Sequence, residues 1–421
     1  MKRTLAGVLA LGMTTALAAC GANEPPADTP AGTPADTPPE TDAATARVQV
    51  PLDETRYAEA VASTNALGLD LMLAQSAGEN VIVSPASLTI ALAMLAEGAT
   101  GEAATELAEI LGLGGADRTE AYSALNTALA AYGEGEFSAK EIPEEPFVRM
   151  ANNVVVLEGY AVNESFIGAV TEHFDATVDS ADLTSQAGKD VLDAWVRAQT
   201  EGLIEESAIE PNDDLRLVLQ NALLFAARWQ DPFVGGMTAP REFTRADGST
   251  VQAEMMQRRG EIGYGEAGGY VAIALPYAED FVAYAVLPPE GGDLTADGIA
   301  AAIEAVGAPA DTSIGLPKFD LAAMVSVKDY LAGAGVSALF EGEAALLGIA
   351  DDDLVVGDIA QQGRLIVDEK GTVGAAVTEI AVGVRSMPMR SFYADRSFVF
   401  VVRHEATGID LFTALIDDPT A

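Results

Sequence analysis

The chain has 421 residues, 49% hydrophobic and 21% charged, which is ample apolar material for a large folded unit and far from a disordered composition. Its net charge is −41, with the acids spread along the whole length. Such a surface repels phosphate backbones and excludes nucleic acid as a partner. A solvated acidic face accounts for the charge without a dedicated basic partner.

The opening "MKRTLAGVLALGMTTALAAC" carries Lys2 and Arg3, an apolar run over 5–19 and small residues before Cys20. That is the pattern of a signal peptide over residues 1–19. "LAAC" also resembles the bacterial lipobox, in which cleavage precedes the cysteine and its thiol takes a diacylglycerol. It implies an exported protein held through Cys20 on a bacterial membrane (outer membrane, periplasmic side or cell surface), each buried acyl methylene contributing about 0.8 kcal/mol; the alternative is a secreted protein. Cys20 is the only cysteine, so no intrachain disulfide can form. The rest of residues 20–50, "GANEPPADTPAGTPADTPPETDAAT" and its flank, is rich in Pro, Thr, Ala and Asp and reads as an extended tether. Residues 51–421 contain no further linker and read as a single domain.

Along that domain, "TRYAEAVASTNALGLDLMLAQ" has helical spacing. "NVIVSPASLTIALAMLAEGATGEAATELAEILGL" follows as a short strand, a Ser-Pro turn, an apolar helix ending near Gly98 and an amphipathic helix after Thr100. Further helices are predicted over 120–132 and 163–173 and in "DVLDAWVRAQTEGLI". "FVRMANNVVVLEG" and "LRLVLQNALLFAARW" read as strands. The second half is mainly strands: "YVAIALPY", "FVAYAVLPP", "TSIGLPKFDL", "GRLIVDE" and a hairpin in "SFVFVVRHEATGIDLFTALI". Helices first and strands later, without regular alternation, predict a mixed α and β fold with largely antiparallel sheets.

Catalytic signals are weak throughout. "GYGEAG" at 263–268 matches a dinucleotide-binding pattern by letter, but a strand and not a helix follows it, so it reads as a glycine-rich turn. The two histidines, His173 and His404, fall at a helix end and in a hairpin, where packing or capping is their expected role. No G-x-S-x-G and no H-E-x-x-H occurs. "DDD" at 351–353 lacks the glycine and terminal glutamate of an EF-hand loop. No cofactor, no metal and no enzymatic activity is expected.

Six segments in order, "NVIVSPASLTIALAMLAEGATGEAATELAEILG", "TEGLIEE", "LQNALLFAARWQDPF", "LPKFDL", "IVDEKGTVGAAVT" and "FVFVVRHEATGIDLFTALIDDP", resemble the serpin family from about residue 60 to 419. The resemblance implies the mixed α/β (α+β) serpin fold, with three β-sheets, eight or nine helices and an exposed reactive loop at about 371–391. It also implies a monomeric suicide-substrate inhibitor of a serine protease, whose cleaved loop inserts into the central sheet and traps the acyl-enzyme. The alternative is a non-inhibitory serpin used as a surface binding or chaperone-like protein.

Carried over position by position, Gly371 after "DEK" matches the hinge glycine, and the family count from it sets the reactive bond at Arg385 and Ser386. A one-residue shift would move the cut to Val384 or Ser386, and a longer loop to Arg390. An arginine there suits a trypsin-like protease, whose specificity pocket holds a carboxylate. The hinge comprises Glu369, Gly371, Thr372, Gly374, Ala375, Ala376 and Thr378. Alternation in a strand sends Thr372, Gly374, Ala376 and Thr378 to one face, all small and uncharged, so their burial leaves no orphaned charge. Asn80, Ser84 and Ser87 match polar residues under the central sheet that let strands part. Gln361 stands where the family usually has a histidine, and Trp229 matches the tryptophan where the loop tip first enters.

Overall fold

The structure, a computed structural model, describes residues 54–75, 78–133, 137–138, 141–341, 343–373 and 390–421. Helix α1 (Thr55–Ala74) is followed by strand β1 (Val81–Val83) and helices α2 (Pro85–Ala96), α3 (Gly101–Ile110) and α4 (Gly115–Ala130). Then come β2 (Phe147–Leu157), α5 (Glu164–Phe174), β3 (Thr177–Ala181), α6 (Gln186–Gln199) and β4 (Leu217–Arg228). The middle of the chain is β5 (Ala239–Thr244), β6 (Thr250–Ala267), β7 (Tyr270–Pro276), β8 (Phe281–Leu287), α7 (Ala296–Glu304), β9 (Ala310–Pro317) and β10 (Phe319–Ser326). Two short helices, α8 (Lys328–Gly333) and α9 (Ala338–Glu341), precede β11 (Ala360–Asp368), β12 (Gly371–Thr372), β13 (Arg390–Tyr393), β14 (Phe398–His404) and β15 (Asp410–Ile416).

One sheet has six strands in the order β10-β11-β12-β4-β2-β3. The other ladder runs β1-β15-β14-β8-β7-β6-β9-β13, with β5 also on β6. It is two sheets made continuous by the 18-residue β6, whose residues 263–267 pair with β7 while 255–262 pair with β9. The second and third sheets of the expected fold are therefore joined through one long strand. "GYGEAG" lies mostly inside β6, and only Gly268 and Gly269, at φ +59° and +88°, make the turn into β7.

The apolar faces of the two ladders meet in one core: Phe319 of the six-stranded sheet packs on Phe398 and Phe400 of the other at 6.4 and 5.6 Å. Helix α2 is threaded into this core, with eleven of its twelve residues buried. A helix apolar on every side has no solvent face, which "PASLTIALAMLA" already implies. Pro85 occupies its first turn, where the missing N–H costs nothing. Helix α4 begins at Gly115, earlier than the predicted 120, because Gly115 enters the helix at φ +58°, a conformation open to glycine. Among the described residues no helix is long and apolar enough to cross a membrane.

Candidate functional site in the six-stranded sheet

Strands β4 and β11 lie on either side of the two-residue β12 and run parallel to each other, since both are antiparallel to it. Gly371 pairs with Arg228 and Asp368, and Thr372 with Ala227 and Val367. The described residues place no other strand between β4 and β11. Below Thr372 a cavity of about 130 Å³ opens between them, lined by Ser84, Ser87, Asn221, Leu223, Gln361 and Gly363 among others.

The hinge residues within the described chain sit at the mouth of this slot. A β-carbon at Gly371 would overlap the carbonyl of Ala227, so only glycine fits that rung. Thr372 is 1% exposed, and its hydroxyl is 2.7 Å from that of Tyr277. Burial pushes the Tyr277 phenol far above its ordinary range, with Thr372 opposing, so it is neutral at any physiological pH. At Val373 the strand ends: its N–H still reaches the Ile366 carbonyl at 3.1 Å, but its φ is +71°, strained for a β-branched residue.

The turn between β11 and β12 is clamped from one side. Trp229 donates its backbone N–H to the Lys370 carbonyl at 2.7 Å and its indole N–H to the Asp368 carbonyl at 2.9 Å. Phe233 N–H reaches the Glu369 carbonyl at 2.7 Å. Glu369 accepts from Lys318 and Thr238, each at 2.8 Å. Burial opposes ionisation of Glu369, but these donors outweigh it and hold the carboxyl below its usual value. Trp229 is stacked on Tyr277 at 4.3 Å. From Tyr277 a run of ring contacts continues through Phe225 and Phe281 to His404 and Tyr132.

Deeper in the slot, Gln361 bonds both backbone groups of Ser84, donating to its carbonyl and accepting from its N–H, each at 2.8 Å. The amide of one strand thus closes on the turn that starts α2. Ser87 bonds Asn221 of β4, whose amide donates to Asn152 of β2 at 2.5 Å, and Asn152 donates to the Phe174 carbonyl at 2.7 Å. The Ser84 hydroxyl is buried without a partner.

Of the residues assigned to the sheet-opening region, Ser84, Ser87 and Gln361 line one slot, and Trp229 holds the β11–β12 turn above its mouth. Asn80 does neither: it accepts from the N–H groups of Asp417 and Asp418 and donates to the Asp418 carbonyl, pinning the end of the chain after β15. Sequence reasoning missed Asn152, Asn221 and Tyr277. The one signal for Asn221 was the pair of amides, Gln220 and Asn221, in the otherwise apolar "LVLQNALLF". Arg385, Ser386, Gly374, Ala375, Ala376 and Thr378 lie outside the described residues, as do Cys20 and the tether. Among the described residues no group of three or more His, Cys, Asp or Glu side chains is placed to hold a metal ion.

Comparison with known proteins agrees with this architecture. Residues 62–419 match the family model described as "Serpin (serine protease inhibitor)". Iripin-3 of Ixodes ricinus is 31% identical over 84% of this chain and 93% of its own length, and human neuroserpin is 27% identical over 86% and 91%. Among solved structures, native protease nexin-1 with heparin superposes at a TM-score of 0.72 with 26% identity, covering 86% of this chain and 99% of that one. Human thyroxine-binding globulin complexed with thyroxine superposes at 0.75 with 22% identity, covering 87% and 100%. With a family model spanning most of its length and a slotted sheet of this topology, the chain belongs to the serpin family.

Proposed function

We propose that this protein inhibits a trypsin-like serine protease as a suicide substrate. The protease serine attacks the Arg385 carbonyl, the bond to the Ser386 nitrogen breaks, and that nitrogen leaves as a protonated amine. The arginyl ester remains on the protease. The freed segment then enters between β4 and β11 and carries the acylated protease with it. Serpin loop insertion is itself a recognised instance of strand addition and of stored-strain release.

The observation that carries this reading is the slot whose first two rungs are held by Gly371 and Thr372. Continued at the same register, an inserted strand would bring Gly374, Ala376 and Thr378 to the inner face. Thr378 would fall between Asn221 and Gln361, a polar rung for a polar side chain. Small residues at the rungs above admit insertion without a buried charge. The arginine at the cut supports a trypsin-like target through the guanidinium preference of such enzymes. We further propose that the protein acts outside the cytoplasm, tethered through an acylated Cys20 and residues 20–50.

The test is to mix the purified protein with trypsin and look for a covalent complex that survives boiling in detergent. The expected result is such a complex, lost in Arg385→Ala while the fold is kept. Finding only cleaved protein and fully active trypsin would remove the inhibitory reading and leave the binding-protein alternative.

A further inference from the structure

We propose that the Tyr277 hydroxyl is a latch that holds the loop hinge one step inside the six-stranded sheet before any protease arrives. This rests on the inhibitory reading for its consequence, but not for its geometry. Tyr277 is therefore a positioning residue: it acts on Thr372 and not on the scissile bond.

Four observations converge. Thr372 is paired on both sides, with Ala227 and with Val367, and is almost wholly buried. Its hydroxyl bonds that of Tyr277, and among the described residues neither hydroxyl has another partner. Tyr277 is itself 2% exposed, so withdrawal of Thr372 would take away a buried phenol's hydrogen-bond partner. The ring is fixed beforehand, stacked within 13° of parallel on Trp229, whose indole is tied to Asp368 of β11.

Against the latch works the next residue. Val373 is β-branched and sits at φ +71°, the left-handed region that such residues avoid. It would relax if the chain withdrew from the slot or if insertion went one rung further to extended geometry. The latch sets which way it goes. With Thr372 held, withdrawal is blocked and relaxation lies inward, so insertion starts at Val373 and not at Gly371. Trapping depends on insertion outrunning hydrolysis of the acyl-enzyme, so a hinge already started favours the trap.

The experiment compares Tyr277→Phe, which keeps the ring stack and removes one oxygen, with Thr372→Val, Thr372→Ser and the Tyr277→Phe/Thr372→Val pair. The first readout needs no protease: amide hydrogen exchange at Thr372 and Val373, referenced to the interior of β11. Loss of one hydrogen bond should speed exchange at these two amides on the order of tenfold. Thr372→Ser should stay near wild type, and the double variant should be no faster than either single one. The second readout is the number of molecules consumed per trypsin trapped, which should rise severalfold in Tyr277→Phe. Unchanged exchange at Val373 in Tyr277→Phe overturns the proposal, as does faster exchange spread equally over β11, which would mark general destabilisation. Selective exchange changes without any trapped trypsin in the wild type would uphold the latch and remove the inhibitory reading instead.

Discussion

His404 ends the run of rings that starts at Trp229, and its environment makes a pH prediction. It is 3% exposed, with Nε2 3.0 Å from the Tyr132 hydroxyl and Nδ1 2.9 Å from the Thr407 hydroxyl. Tyr132 donates to Asp280 at 2.7 Å. Its single proton being used there, Nε2 carries the imidazole hydrogen and donates to the phenol oxygen. Burial lowers the imidazole below its ordinary 6.5, and Asp280 opposes only in part. The unfolded chain takes up a proton that the folded one refuses. The stability His404 contributes is therefore complete above pH 6.5 and is lost as pH falls through the lowered value. Urea unfolding between pH 7 and 5 should show a falling midpoint, and His404→Gln should flatten that fall; an identical slope in the variant would contradict the assignment. None of this was visible in the sequence beyond a histidine in a hairpin. Its partners come from 272 residues away on one side and three on the other.

Among elements, the lock between β11 and the start of α2 rests on one side chain. Gln361 bonds two buried backbone groups of Ser84: the carbonyl also accepts from the Leu88 N–H at 3.0 Å, so the Ser84 N–H is the group that depends on Gln361 alone. A buried polar group left unpaired costs about 1–3 kcal/mol, so Gln361→Ala, which strands the Ser84 N–H, should lower the unfolding free energy by about that much. Equilibrium urea denaturation measures this, and a change below about 0.5 kcal/mol would show that water replaces the amide. The position was legible only through the serpin resemblance, which sets Gln361 where the family usually has a histidine; the bonding to backbone was not. Elsewhere legibility followed periodicity. Helices α1 and α2 and strands β2, β4, β14 and β15 were read from apolar spacing. Strand β6 was missed because "TVQAEMMQRRGEIGYGEA" mixes charges and glycines along a strand that is shared by two sheets and therefore changes its buried face. Helix α7, nine residues long, was too short to show more than two turns of pattern. Strand β12 could not be seen at all, since two residues have no period and their burial depends on β4 and β11 being far apart in sequence but adjacent in space.

At the scale of the molecule, a net charge of −41 works against compactness. Ion pairs such as Arg118 with Glu97, Arg403 with Asp410 and Arg364 with Asp320 neutralise a few of the acids. With 64 acids against 23 Lys and Arg, most carboxylates face one another through solvent. Screening shortens that repulsion from about 30 Å at 0.01 M salt to about 8 Å at 0.15 M. The melting temperature should therefore rise by several degrees between 10 mM and 500 mM sodium chloride, as differential scanning calorimetry would read. A melting temperature that falls with salt would mean that the ion pairs outweigh the repulsion.

Strand β1 carries a consequence for the order of assembly. Among the described residues its three, Val81–Val83, pair only with β15, about 330 positions later in the chain, and Asn80 beside it closes on Asp417 and Asp418. Pairings so remote in sequence form late, because loop closure has to precede them. At an elongation rate of about 5–20 residues per second, the start of the domain waits on the order of half a minute for its partner. For that interval α2 has no completed core to enter. The sequence separation between these two neighbouring strands thus acts as a clock that delays closure until synthesis has reached β15.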